Sequence, residues 1–305
     1  MKITKIAILA VLFIIFILSM TLFAAVEGAD KEIQKTFGPK EEVRIKLALG
    51  DCRIEKSGDG QIHVRIVYSY EDDVFEPKLE EREKVLNLQE KFRGNNPRGY
   101  SRWTVAVPDK TEIDLSSGTG DLAINGLTLK IEGNTGTGDI QIDNAKGDFE
   151  AHTGTGSVYV TNAEGDFDLK SGTGRVRVGN SKGNFDVASG TGSVEAKGLT
   201  IESEGEFSSG TGDVEVAFPK GDNFDLTVSS GTDNAVVDMQ GSPIQGYFEF
   251  TAQAARGRIV SPVKFDKEEE FMEGDHRYLL KSFTKGKQTP KVYIKTGTGT
   301  ARLKE

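Results

Sequence analysis

The stretch "NTGTGDIQIDNAKGDFEAHTGTGSVYVTNAEGDFDLKSGTGRVRVGNSKGNFDVASGTGS", from Asn134 to Ser193, says nearly the same thing every eighteen residues. The triplet Gly-Thr-Gly starts at Gly118, Gly136, Gly154, Gly172 and Gly190, again at Gly210, and in degenerate form at Gly231. A fixed short period is the mark of a repeat architecture. Each eighteen divides into two nines, such as "TGTGDIQID" and "NAKGDFEAH", with glycine fourth, an apolar residue sixth and usually another eighth. That alternation puts Ile140 and Ile142, or Val158 and Val160, on one face of a short strand.

A strand with one apolar face must bury it against a neighbour. Two strands and two turns per eighteen residues therefore predict an all-β fold: a single-chain β-solenoid with coils of about 18 residues and two short strands per coil, each four or five residues long. Coils would stack about 4.8 Å apart, so equivalent residues form columns. One inner wall is Ile140, Val158, Val176, Val194 and Val214; the other is Phe149, Phe167, Phe185, Phe207 and Phe224, an aromatic column read as structural core. Asn144, Asn162 and Asn180 recur at a turn, where Asn tolerates the left-handed region and its amide can bond its copies above and below. Glycines supply positive φ at the other turn.

Outward from the repeats the pattern loosens. Residues 30–110 read as irregular N-terminal coils and a cap, 111–240 as the regular solenoid, and 241–305 as irregular C-terminal coils with a charged insertion over 267–288. "PKLEEREKVLNLQEKF" (Pro77–Phe92) is compatible with a helix, but Leu86, Leu88 and Phe92 favour a strand, paired as a hairpin with "SRWTVAVP" (Ser101–Pro108) across "RGNNPRG". Irregular ends are expected, because open solenoids expose strand edges that invite aggregation.

Lys2 and Lys5 precede an apolar run from Ile6 to Val26, the order of an export signal. Residues 1–29 are thus a cleaved signal peptide, with "AVEGAD" as a mediocre cleavage site, or an uncleaved N-terminal anchor helix through residues 6–26. The expected location is outside the cytoplasm, in the cell envelope. Cys52 is the single cysteine, so no internal disulfide is available and packing alone must stabilise the fold. The net charge of −9 comes without a basic stripe, which excludes nucleic acid as an expected partner.

No Gly-x-Gly continues into a dinucleotide fingerprint, and no phosphate loop or Gly-x-Ser-x-Gly elbow is present. The positions where a calcium β-roll carries its aspartate hold Ile140, Phe149, Val158 and Phe167. His63, His152 and His276 have no metal spacing. No cofactor and no catalytic residue are expected. Two outward columns remain. Asp148, Glu150, Asp166, Asp168 and Asp186 form an acidic ladder, a solvated face or a weak site for divalent cations or a basic partner. Thr135, Thr137, Thr153 and Thr155, followed by Ser171, Thr173, Ser189 and Thr191, flank the glycines as hydroxyls expected to close their own turns.

With these features in view, the chain resembles the bacterial putative-adhesin family, a β-strand-repeat domain of unknown function in exported envelope proteins. The resemblance rests on "LGDCRI", on "VAVPDKTEIDLSSGTGDLAI" (Val105–Ile124), on the "SGTGDV" units and on the closing "KVYIKTGTGTARL", and it covers Glu41 to Leu303. It implies a solenoid in the cell envelope and brings no catalytic residues. The expected role is a non-enzymatic structural or adhesin-like binding module whose partner is an envelope or surface ligand, protein or glycan. Contact with the membrane is expected only through the N-terminal anchor. The alternatives are a polysaccharide-acting enzyme, its site in Glu71–Tyr100 or Lys267–Gln288, and a scaffold that self-associates end to end.

Overall fold

Alternation decides the local structure of the regular coils. Ile140–Asp143 and Val158–Thr161 each bury their first and third residues and turn the others outward, as a strand with one packed face must. A computed structural model describes residues 30–94, 97–221 and 223–305. The segment 1–29, read as signal or anchor helix, lies outside the described residues. Among the described residues no helix is long and apolar enough to cross a membrane, a statement that does not bear on β-barrels.

The strands build two facing sheets, one of 13 strands and one of 14, and the core lies between them. Successive coils pair in parallel at a spacing of one repeat: Ile140 pairs with Val158, Val158 with Val176, Val176 with Val194 and Val194 with Val214. All five of these residues are fully buried.

The coil is less even than the two equal strands expected. Lys146–Thr155 is a ten-residue strand and Val158–Thr161 a four-residue strand, with two-residue corners between them. The difference arises because Gly147 and Gly165, at φ 141° and 144°, do not end their strands but pair with each other inside the ladder. The remaining corners are held by Asn144, Asn162 and Asn180 at φ 52°, 54° and 49°, with Gly126 and Gly198 in the same conformation one coil to either side. The Asn amides do not form the ladder expected of them: Asn144 and Asn162 both donate from Nδ2 to the Asp143 carboxylate, at 2.7 and 3.0 Å.

The aromatic column is also less regular than expected. Phe149, Phe167 and Phe185 are stacked in register, with ring centroids 5.3 and 4.9 Å apart. Strand Thr200–Thr211 then carries two extra residues, and across this bulge Phe185 pairs with Gly205 while Phe207 pairs with Val187. Phe224 precedes strand Asp225–Ser230, and its ring meets Phe218 at 5.9 Å. All five phenylalanines are buried; Phe207 still stacks its ring on Phe185 across the bulge, at 6.0 Å, so that four form the column and Phe224 leaves it.

At both ends the coil order departs from chain order. The coil made of Glu42–Leu47 and Asp51–Lys56 lies between the coil of Val85–Phe92 and Ser101–Val107 on one side and that of Glu112–Thr119 and Leu122–Asn125 on the other. Likewise the last coil, Lys291–Thr296 with Thr300–Lys304, is inserted between Asp225–Ser230 with Ala235–Asp238 and Gly246–Gln253 with Arg258–Val260. The hairpin expected between 77–92 and 101–108 does not form. Val85–Phe92 instead pairs antiparallel with Phe75–Glu81, and Ser101–Val107 joins the opposite sheet beside Ile62–Tyr68 and Asp51–Lys56. Phe92 and Ser101 thus stand at strand ends in opposite sheets, and Tyr70, Phe75 and Phe92 pack their rings at 4.9–5.2 Å. The charged insertion is a second hairpin, Lys267–Glu273 with His276–Lys285, docked antiparallel on Gly246–Gln253.

Candidate functional site

Because every coil points its alternate residues outward, the outer face of the 14-stranded sheet carries columns of like chemistry. The register places Asp114, Glu132, Glu150, Asp168, Asp186 and Glu206 in one line, each the partner of the next. A second line, Asp148, Asp166 and Asn184, runs beside it. The five acidic residues singled out in the sequence are therefore split between two columns, with Asp186 in the column of Glu150 and Asp168. A concavity of about 780 Å³ lies along them, lined by Glu132, Asp148, Glu150, Asp166, Asp168, Asp186 and their neighbours.

Few cations interrupt this ridge. Lys170 reaches Asp168 at 2.7 Å and Asp186 at 3.3 Å. The His152 ring lies 3.1 Å from Asp168 through Nε2 and 3.7 Å from Glu150 through Nδ1. Burial alone would push the Asp168 carboxyl up, but the hydrogen bonds from Lys170 and His152 outweigh it and hold the group below its ordinary range. The same contact with Asp168 pushes the Lys170 ammonium up. Asn184 donates from Nδ2 to Asp166 at 2.9 Å.

The chemistry open to the ridge follows from this geometry. The carboxylates stand side by side along successive strands instead of turning toward a common point. Among the described residues no group of three or more His, Cys, Asp or Glu is placed to hold a metal ion. What the columns do form is a strip of negative potential along a rigid support. Like charges about 4.8 Å apart repel by about 1 kcal/mol or less each in water, a standing cost that a cationic partner would relieve.

The hydroxyl column does more than close its own turns. Thr153, Ser171, Ser189 and Ser209 are buried and donate to the carbonyls of Gly138, Gly156, Gly174 and Gly192, at 2.7–2.8 Å, each in the preceding coil. These four tie one coil to the next, and Thr135 does both, donating to the Gly120 carbonyl of the preceding coil at 3.1 Å and to the Thr137 carbonyl of its own turn at 3.2 Å. Their companions Thr137, Thr155, Thr173 and Thr191 are exposed.

The sequence profile of a family described as Toastrack DUF4097 matches residues 40–267, which takes in the inserted first coil, the regular stack and the ridge. The chain belongs to the Toastrack DUF4097 family. No curated protein matches it. Among solved structures, this Toastrack chain is similar to one named a putative adhesin from Bacteroides fragilis NCTC 9343, with a TM-score of 0.42 at 12% identity over 92% of this chain and 99% of the other. A putative adhesin from Parabacteroides merdae ATCC 43184 has a TM-score of 0.39 at 11% identity, over 92% and 97%. A putative lipid binding protein from Parabacteroides distasonis ATCC 8503 has a TM-score of 0.34 at 12% identity, over 91% and 97%.

Two groups of residues in the Toastrack chain escaped sequence reasoning. Asp114, Glu132 and Glu206 lengthen the ridge, and their signal was present: each stands at the position of Glu150 relative to its own Gly-Thr-Gly. Glu90 gave no signal. It is a buried carboxylate that accepts hydrogen bonds from the Ala48 and Leu49 amides at 2.9 and 3.0 Å, from the Trp103 indole at 2.9 Å and from the Ser101 hydroxyl. It ties together the first coil and both sheets. Cys52, paired in the ladder with Trp103, is buried, and desolvation first, then Glu90 and Asp51, pushes its thiol far up. Such a thiol is inert.

Proposed function

We propose that this Toastrack chain is an exported, non-catalytic module of the cell envelope that binds a cationic partner along the acidic ridge. The observation that carries the reading is the in-register column of six carboxylates from Asp114 to Glu206 on the outer face of a rigid sheet. Inside the coils, apolar side chains and satisfied hydroxyls leave the core to packing, so recognition falls to the outward columns. Export is supported by the basic residues and apolar run that open the sequence.

The two insertions weighed as hosts of a polysaccharide-acting site each carry a hairpin, Phe75–Glu81 with Val85–Phe92 and Lys267–Glu273 with His276–Lys285. In the second, Glu268, Glu269 and Glu270 are engaged by Lys281, Lys267 and Arg277 along the strand edge instead of converging on one point. The test is direct binding of residues 30–305 to isolated envelope fractions, wild type against Glu150→Gln, Asp186→Asn and Glu206→Gln combined. The reading expects retention of the wild type and loss in the variant. Equal retention of both would remove the ridge from the account.

A further inference from the structure

One titratable side chain stands within reach of the ridge without belonging to it. His152 follows Glu150 on strand Lys146–Thr155 and lies in the neighbouring outward column, with Asn134 as its ladder partner on one side and Lys170 on the other. Its ring is half-buried. Among the described residues, the charged groups around it come from three strands. Glu150, on its own strand, lies 3.7 Å from Nδ1. Asp168, on Glu164–Thr173, lies 3.1 Å from Nε2, and Lys170 on that strand is engaged by Asp168 and Asp186 at 2.7 and 3.3 Å. On Ile131–Thr137 the residue opposite is Asn134, which is uncharged and donates to Glu132 at 3.4 Å.

The two ring nitrogens meet different conditions. A neutral imidazole carries one donor and one acceptor, whereas an ionised carboxylate can only accept. Against desolvation, the hydrogen bonds from Lys170 and then His152 keep Asp168 ionised, so Nε2 is the donor and Nδ1 carries the lone pair. That lone pair faces the Glu150 carboxylate, an acceptor set against an acceptor. A second proton on the ring turns Nδ1 into a donor, and both nitrogens then face carboxylates. The surroundings of the ring are thus a seat for imidazolium, and histidine is the side chain that changes charge between about pH 5 and 8.

We propose that His152 is a proton-operated regulator of the ridge: a cationic partner is held while the ring is neutral and released as the ring gains its second proton. The proposal rests on the reading of the ridge as a binding surface. Its basis is competition. Imidazolium engages Glu150 and Asp168, which are ladder partners in the carboxylate column, and adds a positive charge beside Lys170 where the cations of the partner would sit. By linkage the reverse holds, and a bound cation makes His152 harder to protonate by the same factor.

The chain holds three histidines, so the other two serve as internal controls. His63 bonds to Asp59 at 2.9 Å in the 13-stranded sheet, and His276 is exposed on the C-terminal hairpin. Binding of a defined oligolysine to the folded chain is measured at constant ionic strength at about pH 8 and about pH 5.5, where lysine and carboxylate groups keep their charges. The wild type and the double variant His63→Gln with His276→Gln should each bind about threefold more weakly at the lower pH, and His152→Gln should bind equally at both. In proton NMR the His152 ring should titrate at lower pH with oligolysine present than without it, while the rings of His63 and His276 titrate as before. A pH dependence that survives in His152→Gln, or a His152 titration that oligolysine leaves unmoved, would overturn the regulator alone. Full retention of binding at the higher pH by the combined Glu150→Gln, Asp186→Asn and Glu206→Gln variant would overturn the ridge itself, and the regulator with it.

Discussion

Phe207 stands above Val187, not above Phe185: the register pairs Val187 with Phe207, and the Phe207 ring lies 6.0 Å from that of Phe185 at an angle of 30°. The rings stay stacked across that slip, and Phe167 has the tightest place in the column, packed between Phe149 and Phe185 at 5.3 and 4.9 Å. Phe167→Ala should cost about 3–5 kcal/mol, because both neighbours lose their stacking partner and the cavity cannot close. Thr161→Ala, on an outward position whose hydroxyl donates to Asp143 at 2.6 Å, should cost about 1 kcal/mol. Denaturant titrations of the two proteins decide; equal losses would mean that the inward and outward faces have been exchanged.

The close approach of coils makes a second contrast. At Gly174, φ is 149° and a Cβ would lie 1.9 Å from the Gly156 carbonyl. Gly126 has φ 74° with nothing within 4 Å, in the column where Asn144, Asn162 and Asn180 already sit. Gly174→Ala should destabilise by about 2–4 kcal/mol through backbone strain and displaced coils. Gly126→Asn should stay within about 0.5 kcal/mol of the wild type. A thermal melt in which the two variants behave alike would contradict the stacking geometry.

Much of this was legible because the repeat is strict. Where eighteen residues recur without change, as from Ile140 to Val194, position in the repeat determines position in the column, and the inner wall and the acidic residues follow from counting. Legibility ends where the count changes. Glu202 and Ser203 lengthen one strand by two residues, and no local pattern says whether an insertion bulges or slips the register. The inserted coils at both ends were hidden for another reason: alternation shows that Glu42–Leu47 and Lys291–Thr296 are strands but not which coils flank them. The strand lengths were misjudged because Gly147 reads as a turn residue, whereas its positive φ occurs inside a continuous ladder.

Glu90 supplies a prediction at the irregular end. Its carboxylate accepts from two backbone amides, the Ser101 hydroxyl and the Trp103 indole, and the three N–H donors among them, which reach both of its oxygens, cannot accept from an amide NH₂ in its place. Glu90→Gln should lower stability by about 2–3 kcal/mol and alter the emission of Trp103, the single tryptophan. Unchanged stability and emission would show that the network does not hold the first coil.

Acid should loosen the N-terminal edge strand. Glu32 is held at about 2 by its hydrogen bonds from Arg65 and then Gln34. A carboxyl lowered on folding contributes stability that is present above its ordinary range and lost as pH falls through the folded value. Between pH 5 and pH 2, on the scale set by that shift, the wild type should lose more thermal stability than Glu32→Gln. Equal losses in the two proteins would dissociate Glu32 from the acid response.

The claim that the ridge is the working surface is tested most directly by the binding of the folded chain to a defined oligolysine as ionic strength is varied. Glu150→Gln, Asp186→Asn and Glu206→Gln together remove three charges from the ridge. Glu83→Gln, Glu273→Gln and Glu305→Gln remove three exposed charges elsewhere. The account predicts that affinity falls with salt and that the ridge variant binds about tenfold more weakly than the off-ridge variant, roughly 0.5 kcal/mol for each charge lost. Identical affinities for the two variants at every salt concentration would show that only net charge attracts the ligand, and would contradict the ridge as a binding surface.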